Sequence, residues 1–127
     1  NIFRGDVEAP GRFRAGGQRL ACDGGNPAQS AALVVRPERI ALTPGEGEGE
    51  GGGLAGRVEF VTYLGGLTDW HIDTPAGPVL VTRPTPAEGN PLRRLAAGAP
   101  VRLDWPAAAG RLLPDERPAI PTQGDPS

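Results

Sequence analysis

The stretch LAGRVEFVTYLGGLTDWHIDTPAGPVLVTR, residues Leu54–Arg83, decides the fold of this chain. From its first residue to Leu64, apolar or small side chains fall at alternate positions, and this period of two predicts a strand with one face on a core. Gly65-Gly66 can supply the positive φ angles of a tight reversal, so a second strand is predicted over Leu67–Thr74. A further turn leads into a third strand, Pro78–Arg83, and the stretch is therefore predicted to be a three-stranded meander.

The same alternation predicts which side chains lie inside the protein. On the second strand, Thr68, Trp70 and Ile72 share one face, and Asp69, His71 and Asp73 share the other. Trp70 and Trp105 are predicted to anchor the core, because aromatic residues make up 5% of the chain. The predicted core is dominated by six apolar residues, which are Phe3, Val7, Val34, Val58, Phe60 and Ile72.

Strand patterns also occur on both sides of the meander. They predict strands at Asn1–Ala9, Arg12–Ala15, Gln18–Cys22, Ala31–Arg36, Ile40–Leu42, Val101–Trp105 and Arg111–Leu113, with one helical turn at Pro37–Arg39. The glycine- and glutamate-rich run at 44–53 is predicted to be a flexible insertion, because it cannot bury apolar surface. Residues 1–114 are therefore predicted to form one β domain, followed by a disordered tail at 115–127.

A weak internal repeat indicates how the strands are arranged. Gly5-Asp6-Val7-Glu8 matches Gly56-Arg57-Val58-Glu59, and a strand ended by proline, Val34–Pro37, matches Leu103–Pro106. Such a repeat predicts two related small β units that share strands. The predicted fold class is all-β, with OB-fold-like small barrels, since a five-stranded, partly open barrel suits units of this size.

Composition excludes several classes of function. The net charge of −2 gives no strong field of either sign, which disfavours a nucleic-acid surface. All 13 basic residues are arginine, so neither a P-loop lysine nor Schiff-base chemistry is available. The one cysteine, Cys22, has no second cysteine with which to form an internal disulfide and is predicted to be a small core residue. Methionine is absent, and we therefore expect the chain to be part of a longer protein.

Several short motifs occur in a characteristic order. They are Asn1-Ile2-Phe3 with Gly5, Val35-Arg36-Pro37-Glu38 with Ile40, Gly56-Arg57-Val58, Tyr63-Leu64-Gly65 with Thr68, and Val101–Trp105. In this order and spacing, which extend over residues 1–113, the chain resembles the C-terminal TOBE (transport-associated OB) domain of ABC-importer ATP-binding subunits. The resemblance is closest to the spermidine/putrescine type.

This resemblance implies a regulatory and dimerisation domain that couples ATP hydrolysis to transmembrane transport. The ATP and Mg²⁺ would be held by a preceding nucleotide-binding domain, so the present chain would not itself be an enzyme or hold a cofactor. Its partners would be a second copy of the subunit and the transmembrane permease subunits, with no nucleic acid. The subunit would be cytoplasmic and peripheral on the inner face of the cell membrane. The alternative is a MOP-like module that binds a small oxyanion.

Two groups of residues are candidates for a site. Gly65, Gly66 and Thr68 could offer hydrogen-bond donors to an anion together with Arg36 or Arg57, although a plain hairpin turn and a structural corner at Arg36 are the favoured interpretations. Asp69, His71 and Asp73 could be imagined as a metal site or a pH switch, but alternating polar residues are what any half-exposed strand shows. We therefore predict no catalytic residue and no metal ligand.

Overall fold

The computed structural model describes residues 1–26, 30–45 and 53–114, which form two five-stranded antiparallel sheets. The strands are β1 (Ile2–Ala9), β2 (Arg12–Ala15), β3 (Gln18–Ala21), β4 (Ser30–Val34), β5 (Ala41–Pro44), β6 (Leu54–Leu64), β7 (Leu67–Thr74), β8 (Gly77–Pro84), β9 (Pro100–Asp104) and β10 (Arg111–Pro114). Short 3₁₀ turns lie at Pro37–Arg39, Pro91–Arg94 and Ala107–Ala109. The predicted all-β class and its OB-like units are confirmed, and each predicted strand is present within two residues of its predicted ends.

Each half of the chain gives its last strand to the sheet of the other half. The first sheet has the order β10-β4-β1-β2-β3, and the second has the order β5-β9-β6-β7-β8. The two orders are equivalent once β5 and β10 are exchanged, which confirms two related units that share strands. Neither sheet is complete within its own half of the sequence.

In the second motif of the internal repeat, the strand ended by proline, the structure aligns the two halves one residue away from the predicted match. The first 3₁₀ turn begins at Pro37 and the third begins at Ala107, so the element bounds place Arg36 opposite Pro106. The two prolines that suggested the match therefore occupy different positions. The preceding buried residues, Val35 and Trp105, are the true equivalents.

A β-bulge occurs at the same place in both halves. Because of the bulge in β6, one residue of the predicted core lies on the outer face instead. Val58 pairs with Ile72 but Phe60 pairs with His71, so Glu59 is an extra residue in β6. Because an extra residue reverses the facing of every later side chain, Phe60 is 50% exposed, and its predicted place in the core is wrong. Glu8 is the corresponding extra residue in β1.

A single hydrophobic core runs through both sheets. Val7, Phe13, Leu33, Ile72 and Leu103 are among its buried members. Phe3, Val7, Val58, Ile72 and both tryptophans are buried as predicted, and the rings of Phe3 and Trp105 stack at 5.7 Å. Val34 is half-buried because it lies opposite the exposed Ile2 on the outer face of the sheet. Its neighbours Leu33 and Val35 alternate with it and face the core.

Hydrogen bonds join the two halves at sheet edges. The Asn1 side-chain amide donates to the Leu80 carbonyl and its oxygen accepts from the Leu80 N–H, at 2.8 and 2.6 Å. Trp105 Nε1 donates to the Ala21 carbonyl at 2.9 Å. Ala21 ends β3, and Leu80 lies within β8, so these three bonds hold an edge strand of each sheet to residues outside that sheet.

Two segments of the predicted domain organisation lie outside the described residues. They are residues 46–52 of the predicted flexible insertion and the whole predicted disordered tail at 115–127. Pro44, the first residue of the predicted insertion, belongs to β5. Among the described residues, no helix has the length and apolar content that crossing a membrane requires.

Candidate functional site

The turn between β6 and β7 is a tight hairpin, and several of its polar groups form hydrogen bonds with other groups of the protein. Gly65 has a φ of 71°, as the first central residue of a two-residue reversal requires. The Thr85 hydroxyl donates to the Gly65 carbonyl at 2.8 Å, and the Thr85 N–H donates to the Gly66 carbonyl at 2.9 Å. Since the one Thr85 hydroxyl proton is used there, Thr68 must donate in the 2.8 Å contact between the two threonine hydroxyls.

Thr68 is therefore a structural residue of this turn. Its side chain is fully buried, and its hydroxyl points to Thr85. Both turn glycines are exposed. The role of this turn in anion binding stays a prediction, and the Thr68 hydroxyl is already engaged within the protein.

Arg57 lies at the other end of the same hairpin. It pairs with Asp73 of β7 and with Pro100 of β9, and its Nη1 donates to the Gly98 carbonyl at 3.0 Å. Eight strand positions separate Arg57 from Gly65, a distance of about 26 Å along an extended strand. The structure therefore does not bring Arg57 to the glycine turn.

Arg36 forms a corner between β4 and β5. Its guanidinium lies 4.0 Å from the Glu38 carboxylate, and both side chains are mostly exposed. Arg83 of β8 donates to the Glu38 carbonyl at 3.1 Å and so ties this corner to the second sheet. These contacts agree with the structural interpretation of the Arg36-Pro37-Glu38 motif.

The polar face of β7 is occupied by contacts within the sheet. The His71 ring stacks on Phe60 with centroids 4.0 Å apart and an interplanar angle of 15°. Asp69 accepts a hydrogen bond from the Thr82 hydroxyl at 2.6 Å, and Asp73 is exposed. Within the described ranges, no three histidine, cysteine or carboxylate side chains come together in a way that could hold a metal ion.

A cleft of about 450 Å³ surrounds Arg57, and the sequence alone did not predict it. Its lining comes from β6, from the β7–β8 turn and from the start of β9, namely Ala55, Gly56, Arg57, Asp73, Thr74, Pro75, Pro100 and Val101. Arg57 and Asp73 face it from adjacent strands and, although they are directly paired in register, no ion pair joins them. The cleft therefore offers one guanidinium that has donors to spare and one carboxylate.

Two features position these groups. Gly56 keeps the strands close, since a Cβ atom there would lie 2.6 Å from Ile72 Cγ2. The Thr74 hydroxyl donates to the Gly77 carbonyl at 2.6 Å and accepts from the Ala76 N–H at 3.1 Å, which fixes the β7–β8 turn. A signal for the cleft was present in the sequence as a glycine inside a strand, which often marks a close approach of backbone.

Cys22 does not take part in this cleft. It is fully buried, as predicted, and its thiol lies 3.4 Å from the Gly24 carbonyl. Burial raises the pKa of this thiol, while a hydrogen bond from the backbone of Gly11 opposes the shift and the nearby Asp23 charge adds to it. A buried thiol with a raised pKa is a poor nucleophile at neutral pH.

Comparison with known proteins gives the family and the fold. A family model described as a TOBE domain matches residues 33–113. Eighteen chains of solved structures match, among them the cytoplasmic molybdate-binding protein ModG in a crystal form with molybdate bound. That match has a TM-score of 0.69 at 18% identity and covers 90% of this chain and 95% of that chain. No curated protein matches the sequence.

Proposed function

The chain belongs to the TOBE domain family, and from that premise we propose that it is a binding module for a small oxyanion. The observation that carries the proposal is the likeness of nearly the whole chain to ModG, a protein described as binding molybdate. The match covers both barrels, because it includes 90% of the chain. Under this proposal the chain binds its ligand but catalyses no reaction, and it needs no cofactor.

The cleft at Arg57 is the proposed binding place. An arginine guanidinium presents five N–H donors in a fixed fork, and Arg57 Nη1 uses one of them on Gly98. The remaining donors suit the paired oxygens of a tetrahedral oxyanion. Asp73 lines the same cleft, so its negative charge opposes an anion and limits the affinity.

This assignment is tested by calorimetric titration with molybdate, sulfate and phosphate at constant ionic strength. Replacing Arg57 with Gln should weaken binding by about tenfold or more, because a charge-assisted hydrogen bond contributes about 1.5–3 kcal/mol. Asp73→Asn should tighten binding, since it removes a like charge. Arg36→Gln is the matched control, because Arg36 is exposed and pairs with Glu38 outside the cleft. Equal binding by the Arg57 and Arg36 variants would place the oxyanion elsewhere.

A second function is proposed from the order of the sequence motifs and from the TOBE family itself. In it, the chain is the regulatory and dimerisation domain of an ABC-importer ATP-binding subunit of the spermidine/putrescine type. Its partners would be a second copy and the permease subunits, at the cytoplasmic face of the cell membrane. The ATP and Mg²⁺ would then belong to a preceding domain.

The sequence of the gene that encodes the chain distinguishes this second function from oxyanion binding alone. We expect a reading frame in which a P-loop of the form GxxxxGK[ST] precedes Asn1 by a few hundred residues. The isolated chain should hydrolyse no ATP. A gene that encodes two TOBE-like units and no P-loop would leave the oxyanion module as the sole function.

A further inference from the structure

A second cleft, of about 410 Å³, lies at the two edges of the second sheet. Its walls come from the start of β5, the end of β8 and the loop that follows β8, and it shares no lining residue with the Arg57 cleft. β5 and β8 are the first and last strands of the sheet order, so the cleft lies where the second barrel is not closed by strand pairing. Most of its surface is apolar and is formed by Ala41, Leu42, Pro84, Pro86 and Leu92.

The corresponding place in the first barrel is closed. By strand position, Leu112 of β10 is the equivalent of Leu42 of β5. The chain after β3 packs against β10 there, because a Cβ atom at Gly25 would lie 2.8 Å from Leu112 Cδ1. In addition, the Asp23 N–H donates to the Gly110 carbonyl at 2.8 Å. Within the described residues, no backbone hydrogen bond joins β8 to β5 in this way. The cleft is therefore a feature of this second barrel and not of the barrel type.

The loop that walls the cleft is held at both ends and in its middle. Thr85 bonds to both carbonyls of the β6–β7 turn through its N–H and its hydroxyl. The Arg93 guanidinium lies 5.3 Å from the centroid of the Tyr63 ring, over its face. At the far end, the Gly98 N–H donates to the Val58 carbonyl at 2.7 Å. The wall is thus formed in the free protein, and a ligand would not have to order it.

The polar side chains of the cleft that remain available are hydrogen-bond donors. Arg83 uses Nη1 on the Glu38 carbonyl at 3.1 Å and keeps the other N–H groups of its guanidinium. The Asn90 side-chain oxygen accepts from the Leu92 N–H at 2.9 Å, which leaves the NH₂ group of Asn90 to donate. None of the lining residues is acidic. The cleft therefore carries one positive charge that no lining carboxylate opposes.

A backbone N–H faces the same side of β5. The Gly45 N–H donates to the Pro100 carbonyl at 2.9 Å, so this pair is a hydrogen-bonded pair of the β5–β9 ladder. Because hydrogen-bonded and non-hydrogen-bonded pairs alternate, the N–H and C=O of Leu42 point away from β9. No β9 residue lines the cleft, and no backbone hydrogen bond from the described residues reaches Leu42 on that side.

We propose that this cleft binds a small carboxylic acid with an apolar body. The carboxylate would accept hydrogen bonds from the Arg83 guanidinium and the Leu42 N–H, and the body would cover Pro86 and Leu92. A mostly apolar cleft with a few polar groups that fix orientation is the usual form of a site for small organic molecules. An inorganic oxyanion has no apolar part to cover these walls, so this site is separate from the oxyanion site proposed at Arg57.

Nuclear magnetic resonance titrations of the ¹⁵N-labelled chain test the class of ligand. The probes are octanoate, acetate, which lacks the apolar body, and 1-octanol, which lacks the carboxylate. Octanoate should give saturable shifts of the Leu42 and Leu92 amide signals, larger than those of the residues that line the Arg57 cleft. Acetate and 1-octanol should each bind at least about tenfold more weakly, because each loses one of the two kinds of contact.

Variants test the place of binding. Arg83→Gln should weaken octanoate binding by about tenfold or more, since it removes the charge. The matched control is Arg111→Gln, at an exposed arginine in an edge strand of the other sheet, and it should bind normally. Ala41 is exposed, so Ala41→Trp should fill the cleft and block octanoate without disturbing the core, whereas Ala41→Ser should not. Thermal unfolding checks that each variant is folded.

Four outcomes would overturn the proposal. They are the absence of saturable shifts at millimolar octanoate, binding of 1-octanol as tight as that of octanoate, equal binding by the folded Arg83 and Arg111 variants, and shifts centred on the Arg57 cleft. None of these measurements uses molybdate, so the failure of this proposal can be distinguished from the failure of the oxyanion function.

Discussion

The single inserted residue Glu59 determines where Phe60 lies. Before the bulge, the alternation in β6 places Leu54 and Val58 inside, and the prediction was correct there. After the bulge, Val61 lies opposite the buried Trp70 and is partly buried, and Phe60 turns to the outer face against His71. Residue periodicity cannot reveal such a change, because a bulge leaves the sequence pattern intact while it reverses the facing.

The exposure of Phe60 leads to a prediction about stability. Phe60→Ala should lower the free energy of unfolding by about 1 kcal/mol, because the ring is half exposed and loses mainly its contact with His71. Phe13→Ala, a matched change at a fully buried ring, should cost about 3–5 kcal/mol. Urea titrations of both variants make the comparison. A loss at Phe60 as large as that at Phe13 would contradict the assigned face.

Cys22 gives a prediction about pH. Burial raises the pKa of its thiol above the ordinary 9.0, so the folded chain keeps the thiol proton at a pH where the unfolded chain has lost it. The stability from this group is fully present below pH 9.0 and is lost as the pH rises through the raised value. The free energy of unfolding should therefore fall more steeply above pH 9.0 in the unmodified chain than in Cys22→Ala. Parallel curves in urea titrations at several pH values would show that the thiol contributes nothing.

For the secondary-structure elements, the strands and the sharing of strands between two units were predicted from the sequence, but which strands are exchanged was not. Local alternation and turn residues located each strand of the described residues, because these signals depend on neighbours in the sequence. The partners of β5 and β10 depend on contacts between the two halves, and no local pattern encodes them. The cleft around Arg57 was missed for the same reason, since its walls come from β6, β9 and the β7–β8 turn, which are separated along the chain. Arg57 was predicted as a candidate anion contact beside the Gly65-Gly66 turn, whereas in the structure it lines a cleft near the β7–β8 turn.

The close packing of β6 on β7 predicts different results for two glycines of the same hairpin. Gly56→Ala should destabilise the protein by about 1–3 kcal/mol, because the added methyl group would meet Ile72 at 2.6 Å. Gly66→Ala is the control, since no atom lies within 4 Å of its Cβ position and its φ is not in the left-handed region. It should be neutral or slightly stabilising. Equal effects in thermal denaturation would mean that the two strands adjust freely.

At the scale of the whole molecule, strand exchange makes the halves depend on each other. Two pieces, residues 1–48 and 49–127, should associate when they are expressed together, because β5 completes the second sheet and β10 completes the first. Copurification through a tag on one piece, followed by one cooperative unfolding transition, is the expected result. If the first piece alone unfolded cooperatively as a monomer, the exchange would be dispensable for folding.

Calorimetric titration of the intact chain with molybdate tests oxyanion binding by this protein most directly. We expect saturable binding in the micromolar range that Arg57→Gln weakens by about tenfold or more, while the fold stays intact. The absence of saturable heat for molybdate, sulfate and phosphate up to millimolar concentrations would contradict an oxyanion-binding function for this chain.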